Sequence, residues 1–303
     1  MATEGAVIPE IAPARSLAVS AKRGARWGPE AIFVLGLTVV LALIFLFPLV
    51  WTVSSSLKSP AQIFSFPPAL VPIPPQWVNY ATVLQKVPYG TWVLNSFIVV
   101  ILSTGGVVVT SSLVAYSFAR FEYRGRDLIF LATLGTMMLP AQVTLIPQFV
   151  LFNALGFINT LLPLWVPSWF GGGAFFIFLL RQFFLSLPTD LDEAALMDGA
   201  NVLQVYWSIL MPLCKPALAT VAIISFIESW NDFLGPLIYL NTPDKFTVAV
   251  GLSFFQNVPE AAGEPLQHLL MAASVMAILP PLLLFFSFQR YFVQGIVLSG
   301  IKG

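Results

Sequence analysis

Charge is scarce in this 303-residue chain: only 9% of its residues are Asp, Glu, Lys or Arg, and fourteen of each sign cancel. That scarcity excludes an ordinary soluble domain, whose residues are about 25% charged. Zero net charge also gives no reason to expect nucleic acid or another polyanion as a partner. The single cysteine, Cys214, excludes an intramolecular disulfide. With one histidine, His268, the chain has too few ligands to build a zinc site of its own. No glycine-rich loop ending in Gly-Lys-Ser or Gly-Lys-Thr is present, so ATP is not bound in the P-loop manner. No internal repeat is evident.

What fills the chain instead is apolar: 58% of residues are hydrophobic and the mean hydropathy is +0.87. Uncharged stretches long enough to cross a bilayer, which takes about 20 residues, recur along it. The expected spans are 31–53, 91–119, 128–151, 161–180, 217–240 and 269–288. The middle two come from Leu128–Leu180, an uncharged run too long for one span, whose reversal is suggested by Pro140, Pro147, Pro163 and Pro167 with the apolar turn around Asn153–Asn159. The first run is too long for the apolar part of a signal peptide and is not followed by a small-residue cleavage site. Residues 1–28 are expected to form a disordered, basic tail.

Placing both termini inside puts eleven basic residues on the cytoplasmic side, from Arg15 to Lys302, and leaves Lys58, Lys86 and Lys245 outside. Trp51, Trp92, Trp165 and Trp169 are then expected near the outer headgroups. The proline-rich outer loop Ser54–Gly90 is expected to hold extended and short helical pieces. The outer loop Asn241–Pro265 could touch a soluble partner.

One cytoplasmic connection, Arg181–Pro216, is far longer than a simple turn requires. Thr189 and Asp192 stand at capping-box spacing, and Asp190, Asp192 and Glu193 crowd the first turn, where the helix dipole favours negative charge. A helix Leu191–Met197 is expected to break at Gly199. A second helix, Val202–Leu210, would share Val202, Tyr206 and Ile209 on one face, and Pro212 and Pro216 would end it. Lying in lipid headgroups is one reading of this pair. The small residues Ala194, Ala195 and Gly199 favour the other, close approach by a protein.

In the fifth span Glu228 and Asp232 lie four residues apart and are expected on one helix face, with Ser225, Asn231 and Gly235 on the same arc. An unpaired charge at mid-bilayer costs about 2.5–3.5 kcal/mol, so this face should look into the bundle or a solute pathway. Trp230 and, in the second span, Asn95 are further candidates for such a pathway; helix–helix hydrogen bonding is the plainer role for Asn95.

The spacing Glu193-Ala194-Ala195-x3-Gly199-x9-Ile209-x-Met211-Pro212 resembles the EAA motif of binding-protein-dependent ABC importer permeases, with Met211 where the family usually has leucine. Phe47-Pro48-Leu49, Leu94-Asn95-Ser96, Ala115-Tyr116-Ser117-Phe118-Ala119-Arg120-Phe121, Leu161-Leu162, Trp230-Asn231-Asp232-Phe233 and the tail from Gln289 to Gly303 are similar to the maltose-type carbohydrate subgroup. The resemblance implies an all-α integral membrane protein of the MetI-like, type I importer class: six spans and a cytoplasmic coupling-helix pair. It implies a carbohydrate as solute and a bacterial or archaeal cytoplasmic membrane as location.

The implied partners are a cytoplasmic ATPase dimer that binds the ATP and magnesium, a second related permease and an extracytoplasmic solute-binding protein. Glu193, Ala194, Ala195, Gly199, Ile209 and Pro212 would couple to the ATPase, and Ser299, Gly300 and Lys302 of the tail would contact it too. The chain itself would be no enzyme and hold no cofactor. Two other readings are open: a proton- or sodium-coupled carrier, and a membrane enzyme, each using Glu228 and Asp232.

Overall fold

The computed structural model describes residues 28–256 and 266–300, so the tail expected over 1–28 lies, but for Gly28, outside the described residues, as does Lys302. Among the described residues the chain is helical and contains no strand. In order the helices are α1 Pro29–Ser56, α2 Pro60–Ile63, α3 Val78–Lys86, α4 Tyr89–Arg120, α5 Arg126–Gly135, α6 Ala141–Ala154, α7 Leu162–Trp165 and α8 Ala174–Ser186. There follow α9 Asp190–Met197, α10 Val202–Gln204, a π-helical turn Val205–Leu210, α11 Met211–Leu213, α12 Lys215–Asn231, α13 Leu234–Tyr239, α14 Val248–Phe254 and α15 Gln267–Gly300.

The chain divides into two units, Met1–Leu49 and Val50–Gly303. In the first, nearly every described side chain of α1 is exposed although the sequence is almost wholly apolar. A 28-residue helix of this kind is stable only with lipid around it. The second unit is organised on α4. Its 32 residues contain no proline and run about 48 Å, more than the bilayer core. Helices α8 and α12 pack along α4, and α15 packs on α12 and α3.

Among the described residues four helical stretches are long and apolar enough to cross a membrane: Pro29–Ser56, Tyr89–Arg120, Leu162–Ser186 and Gln267–Phe288. The expected single span 128–151 is instead two helices bent by 98°. Pro140 is the cause, because its ring drives the preceding residue out of the helical region, and Leu139 is extended (φ −80°, ψ 122°). The expected span 217–240 is also broken. Helix α12 ends at Asn231, and Asp232 is extended (φ −64°, ψ 115°). Pro236, four residues on, has no N–H to offer the Asp232 carbonyl, so a continuous helix would lose that bond and clash with the ring.

Trp169 is not level with Trp92: its indole N–H donates to the Leu102 carbonyl at 3.1 Å, ten residues and about 15 Å along α4 from Trp92. The segment before α8 reaches that level as a short 3-10 turn, Val166–Trp169, followed by Gly171–Gly173, rather than as a straight helix.

Candidate functional site

Two polar loops are fastened to opposite ends of α4. At the Arg120 end lies the connection between α8 and α12. Three acids, Asp190, Asp192 and Glu193, occupy the first turn of α9. The expected Thr189 capping box does not form: Thr189 has helical angles (φ −69°, ψ −26°) and its side chain caps nothing. Asp192 turns away to Arg120 instead, with Oδ2 2.9 Å from Nε. Burial pushes the Asp192 carboxyl up, Arg120 opposes that shift and neighbouring Glu193 adds to it.

Helix α9 ends as expected. Gly199 takes φ +87°, Ala200 N–H donates to Ala195 carbonyl at 3.0 Å, and Gly199 N–H to Leu196 carbonyl at 3.1 Å. This pair of bonds is the Schellman closure, and it needs a left-handed residue. No atom crowds the position, so Gly199→Val is expected to cost only the backbone strain, about 1–2 kcal/mol. Thermal unfolding in detergent would register it, and an unchanged midpoint would refute the assignment.

The second helix starts with a capping box that the sequence reading missed. Asn201 Oδ1 accepts from Gln204 N–H at 2.9 Å, and Gln204 Oε1 accepts from Asn201 N–H at 2.7 Å. The signal was present: Asn three residues before Gln, ahead of an apolar run. Beyond it the chain widens into the π turn, which changes the inward face. Val205, Tyr206 and Leu210 are buried rather than Val202, Tyr206 and Ile209; Val202 is exposed and Ile209 half-buried.

The docking set read from the sequence is therefore divided. Glu193, Ala194, Gly199 and Pro212 are exposed. Ala195 and Ile209 instead pack against the protein's own core with Tyr116, Phe184 and Tyr206. The exposed face gains residues that went unnoticed: Met197, 88% exposed, Leu203, 63%, and Trp207, 54%. Leu203 and Trp207 stand at i, i+4, the spacing that marks a shared helix face.

At the other end of α4, Asn95 Nδ2 donates to the Asp244 and Phe246 carbonyls at 2.9 and 3.0 Å. Trp92 donates its indole N–H to Pro243 carbonyl at 2.8 Å, and Ser96 Oγ accepts from Val248 N–H at 2.8 Å. Asn95 is thus spent on loop backbone and is not presented to a solute pathway.

Glu228 lies in the last turn of α12, and Asp232 is the residue at which the helix ends, its ψ of 115° turning the chain away beyond it. Both are exposed, as is Asn231, while Ser225 is buried. Asp232 Oδ1 accepts from Gly235 N–H at 3.1 Å, and Asn231 Nδ2 donates to Ile227 carbonyl at 2.8 Å. Trp230 is buried, donates to Ala277 carbonyl at 3.2 Å and stacks on Phe226, so it holds α12 to α15. Trp230 and Asn231 border a cleft of about 390 Å³ with Val248, Leu252, Ser274 and Ile278. Among the described residues no three His, Cys, Asp or Glu side chains gather as a metal site would require.

A sequence model for the family described as binding-protein-dependent transport system inner membrane component matches residues 108–298. The chain belongs to that family. The match takes in α8 to α12 and so the whole connection fastened to Arg120. The sn-glycerol-3-phosphate transport system permease protein UgpE of Yersinia pestis is 32% identical over 86% of this chain and 93% of that protein. The arabinooligosaccharides transport system permease protein AraQ of Bacillus subtilis is 33% identical over 88% and 93%. A crystal structure of a bacterial ABC transporter that imports the acidic polysaccharide alginate contains a similar chain, with TM-score 0.77 and 28% identity over 87% of this chain and 96% of that one. As a member, the chain is a multi-pass inner-membrane permease component, in a family of transport components rather than enzymes. Of the tail residues expected to contact an ATPase, Ser299 and Gly300 are described only as the backbone end of α15.

Proposed function

We propose that this chain is one permease subunit of an ATP-driven importer for a carbohydrate or similar polyhydroxylated solute. Its six spans are α1, α4, the bent pair α5–α6, the stretch from α7 through α8, the pair α12–α13, and α15. The loop 181–216 faces the cytoplasm and receives a separate ATPase dimer that binds ATP and magnesium. Both termini are cytoplasmic, and residues 299–302 add to the ATPase contact. The loop carried by Asn95 lies outside and meets a solute-binding protein.

The observation that carries this reading is the exposed apolar face of the loop. Met197, Leu203 and Trp207 stand exposed on the same polar connection as Glu193, where burial by a partner rather than by this chain's own core is the way to cover them. Family membership supplies the kind of partner. The relatives' solutes, a phosphorylated polyol and several oligo- and polysaccharides, supply the solute class. Glu228, Asn231 and Asp232 support a second permease subunit: exposed polar groups in a transmembrane helix are costly against lipid and must face protein or water. Family membership favours the importer over the ion-coupled carrier and the enzyme.

The test is reconstitution. The chain, co-expressed with a neighbouring permease, ATPase and binding protein, is expected to co-purify with them and to take up an arabino-oligosaccharide or glycerol phosphate in proteoliposomes only with ATP inside. Uptake by the chain alone, driven by a proton or sodium gradient, would overturn the reading.

A further inference from the structure

Three residues of α4 at successive i, i+4 positions, Ser112, Tyr116 and Arg120, hold both helices of the coupling loop. The Arg120 guanidinium is buried. Its Nη2 donates to Leu187 carbonyl at 3.1 Å, where the chain enters the loop, and its Nε lies 2.9 Å from Asp192 Oδ2 on α9. One turn back, the Tyr116 ring rests against Tyr206 and Phe184 with centroids 5.2 and 6.0 Å away. Another turn back, the Ser112 and Tyr206 hydroxyls are 2.6 Å apart in the core.

The grip is unequal. Tyr206 anchors the second helix by a buried ring and a hydrogen bond. Helix α9 has one buried apolar side chain, Ala195, which offers little area. What ties α9 to the membrane helices beyond that contact is the Arg120–Asp192 ion pair. The same guanidinium holds Leu187 carbonyl, so it fixes α9 at its entry as well as in its first turn. The rod continues without interruption to Asn95, Trp92 and Ser96, which hold the outer segment 243–248 through four hydrogen bonds.

From this geometry we infer that Arg120 is a positioning residue for coupling: by clamping Asp192 and Leu187 it makes α9 and α4 one body, so that displacement of the loop becomes displacement of the outer segment. This rests on the reading of the loop as the ATPase contact. Without Arg120, α9 would shift on its small alanine contact while α4 stayed behind.

The test uses the assembled importer, reconstituted with its ATPase, in a Cys214→Ala background carrying Asp244→Cys. Asp244 is exposed and its carbonyl is held by Asn95. A membrane-impermeant maleimide reads the labelling rate of the introduced thiol before and after trapping with ATP and vanadate. With Arg120 in place, trapping is expected to change that rate about fivefold or more, the lower end of typical coupling between sites. Arg120→Ala is expected to abolish the change while the ATPase still traps nucleotide. Asp192→Asn should do the same, and the two together should do no worse than either, since they break one link. Arg120→Lys, which keeps the charge but not the fork, should retain part of it and serves if Arg120→Ala fails to assemble. An unchanged response in Arg120→Ala overturns the inference, as does a trapped importer with Arg120 intact in which the introduced thiol does not respond. Failure of the wild-type chain to bind any ATPase overturns the reading beneath it instead.

Discussion

Replacing Glu193 by arginine is expected to cut ATP-driven uptake about a hundredfold while the protein still folds into the membrane. Glu193 is exposed, and so are the apolar Met197, Leu203 and Trp207 of the same connection. A charged group set in an apolar docking face is desolvated when the partner arrives. Reversing it then costs several kcal/mol at the interface, and about 1.4 kcal/mol is tenfold in affinity. The chain's own stability is touched far less. The loss is one favourable charge in the first turn of α9, about 0.3–1 kcal/mol, and surface substitutions seldom exceed that range. Glu193→Gln, which removes charge without reversing it, should fall between. The measurement is uptake in proteoliposomes beside the amount of folded chain and of co-purified ATPase. Wild-type uptake by the arginine variant, at normal assembly, would remove Glu193 from the coupling face.

The parts of this fold that were legible in the sequence are those written by local signals. The uncharged run 91–119 lies within α4, Tyr89–Arg120, to within two residues, because no breaker interrupts it and Arg120 marks its polar end. Gly199 could be read because a left-handed residue after a short acidic helix is a local requirement. What failed was long-range or depended on how prolines compete with a helix. Pro140 was one of four prolines in the uncharged run, and the expected span 128–151 passed through it, yet Pro140 outweighs the apolar run on either side of it. Pro236 likewise stops α12 at Asn231, short of the expected end at 240. The partner of Asp192 was beyond reach: Arg120 is 72 positions away, and no spacing rule pairs residues on different helices. With the pair formed, Asp192 was no longer free to cap α9. The partners of Asn95 were out of reach for the same reason, since its amide is spent on carbonyls about 150 residues further along. The π turn shifted the buried face by a residue, a change that a period of 3.6 cannot anticipate.

The second large effect is expected at the opposite end of α4. Trp92 is 1% exposed, sits in the cluster with Val83, Val248, Leu269 and Ala272, and donates to Pro243 carbonyl. Deleting a buried ring of this size costs about 3–5 kcal/mol, so Trp92→Ala is expected to lower the unfolding midpoint and to expose segment 241–256 to protease. Trp92→Phe keeps most of the packing and loses the hydrogen bond, for about 1 kcal/mol. Gly251 supplies an independent check, because a Cβ built there runs into the Trp92 ring. Gly251→Val alone is an overpacking change and should cost about 1–3 kcal/mol. In the Trp92→Ala background the added methyl groups enter space that the ring has left. The double variant should therefore be less destabilised than the sum of the singles, by the margin that touching residues show in such cycles, about 0.5–3 kcal/mol. Strict additivity, with protease sensitivity unchanged in Trp92→Ala, would mean that α14 is not held on α4 by this contact. It would then remove the upper end of the rod on which the coupling inference depends.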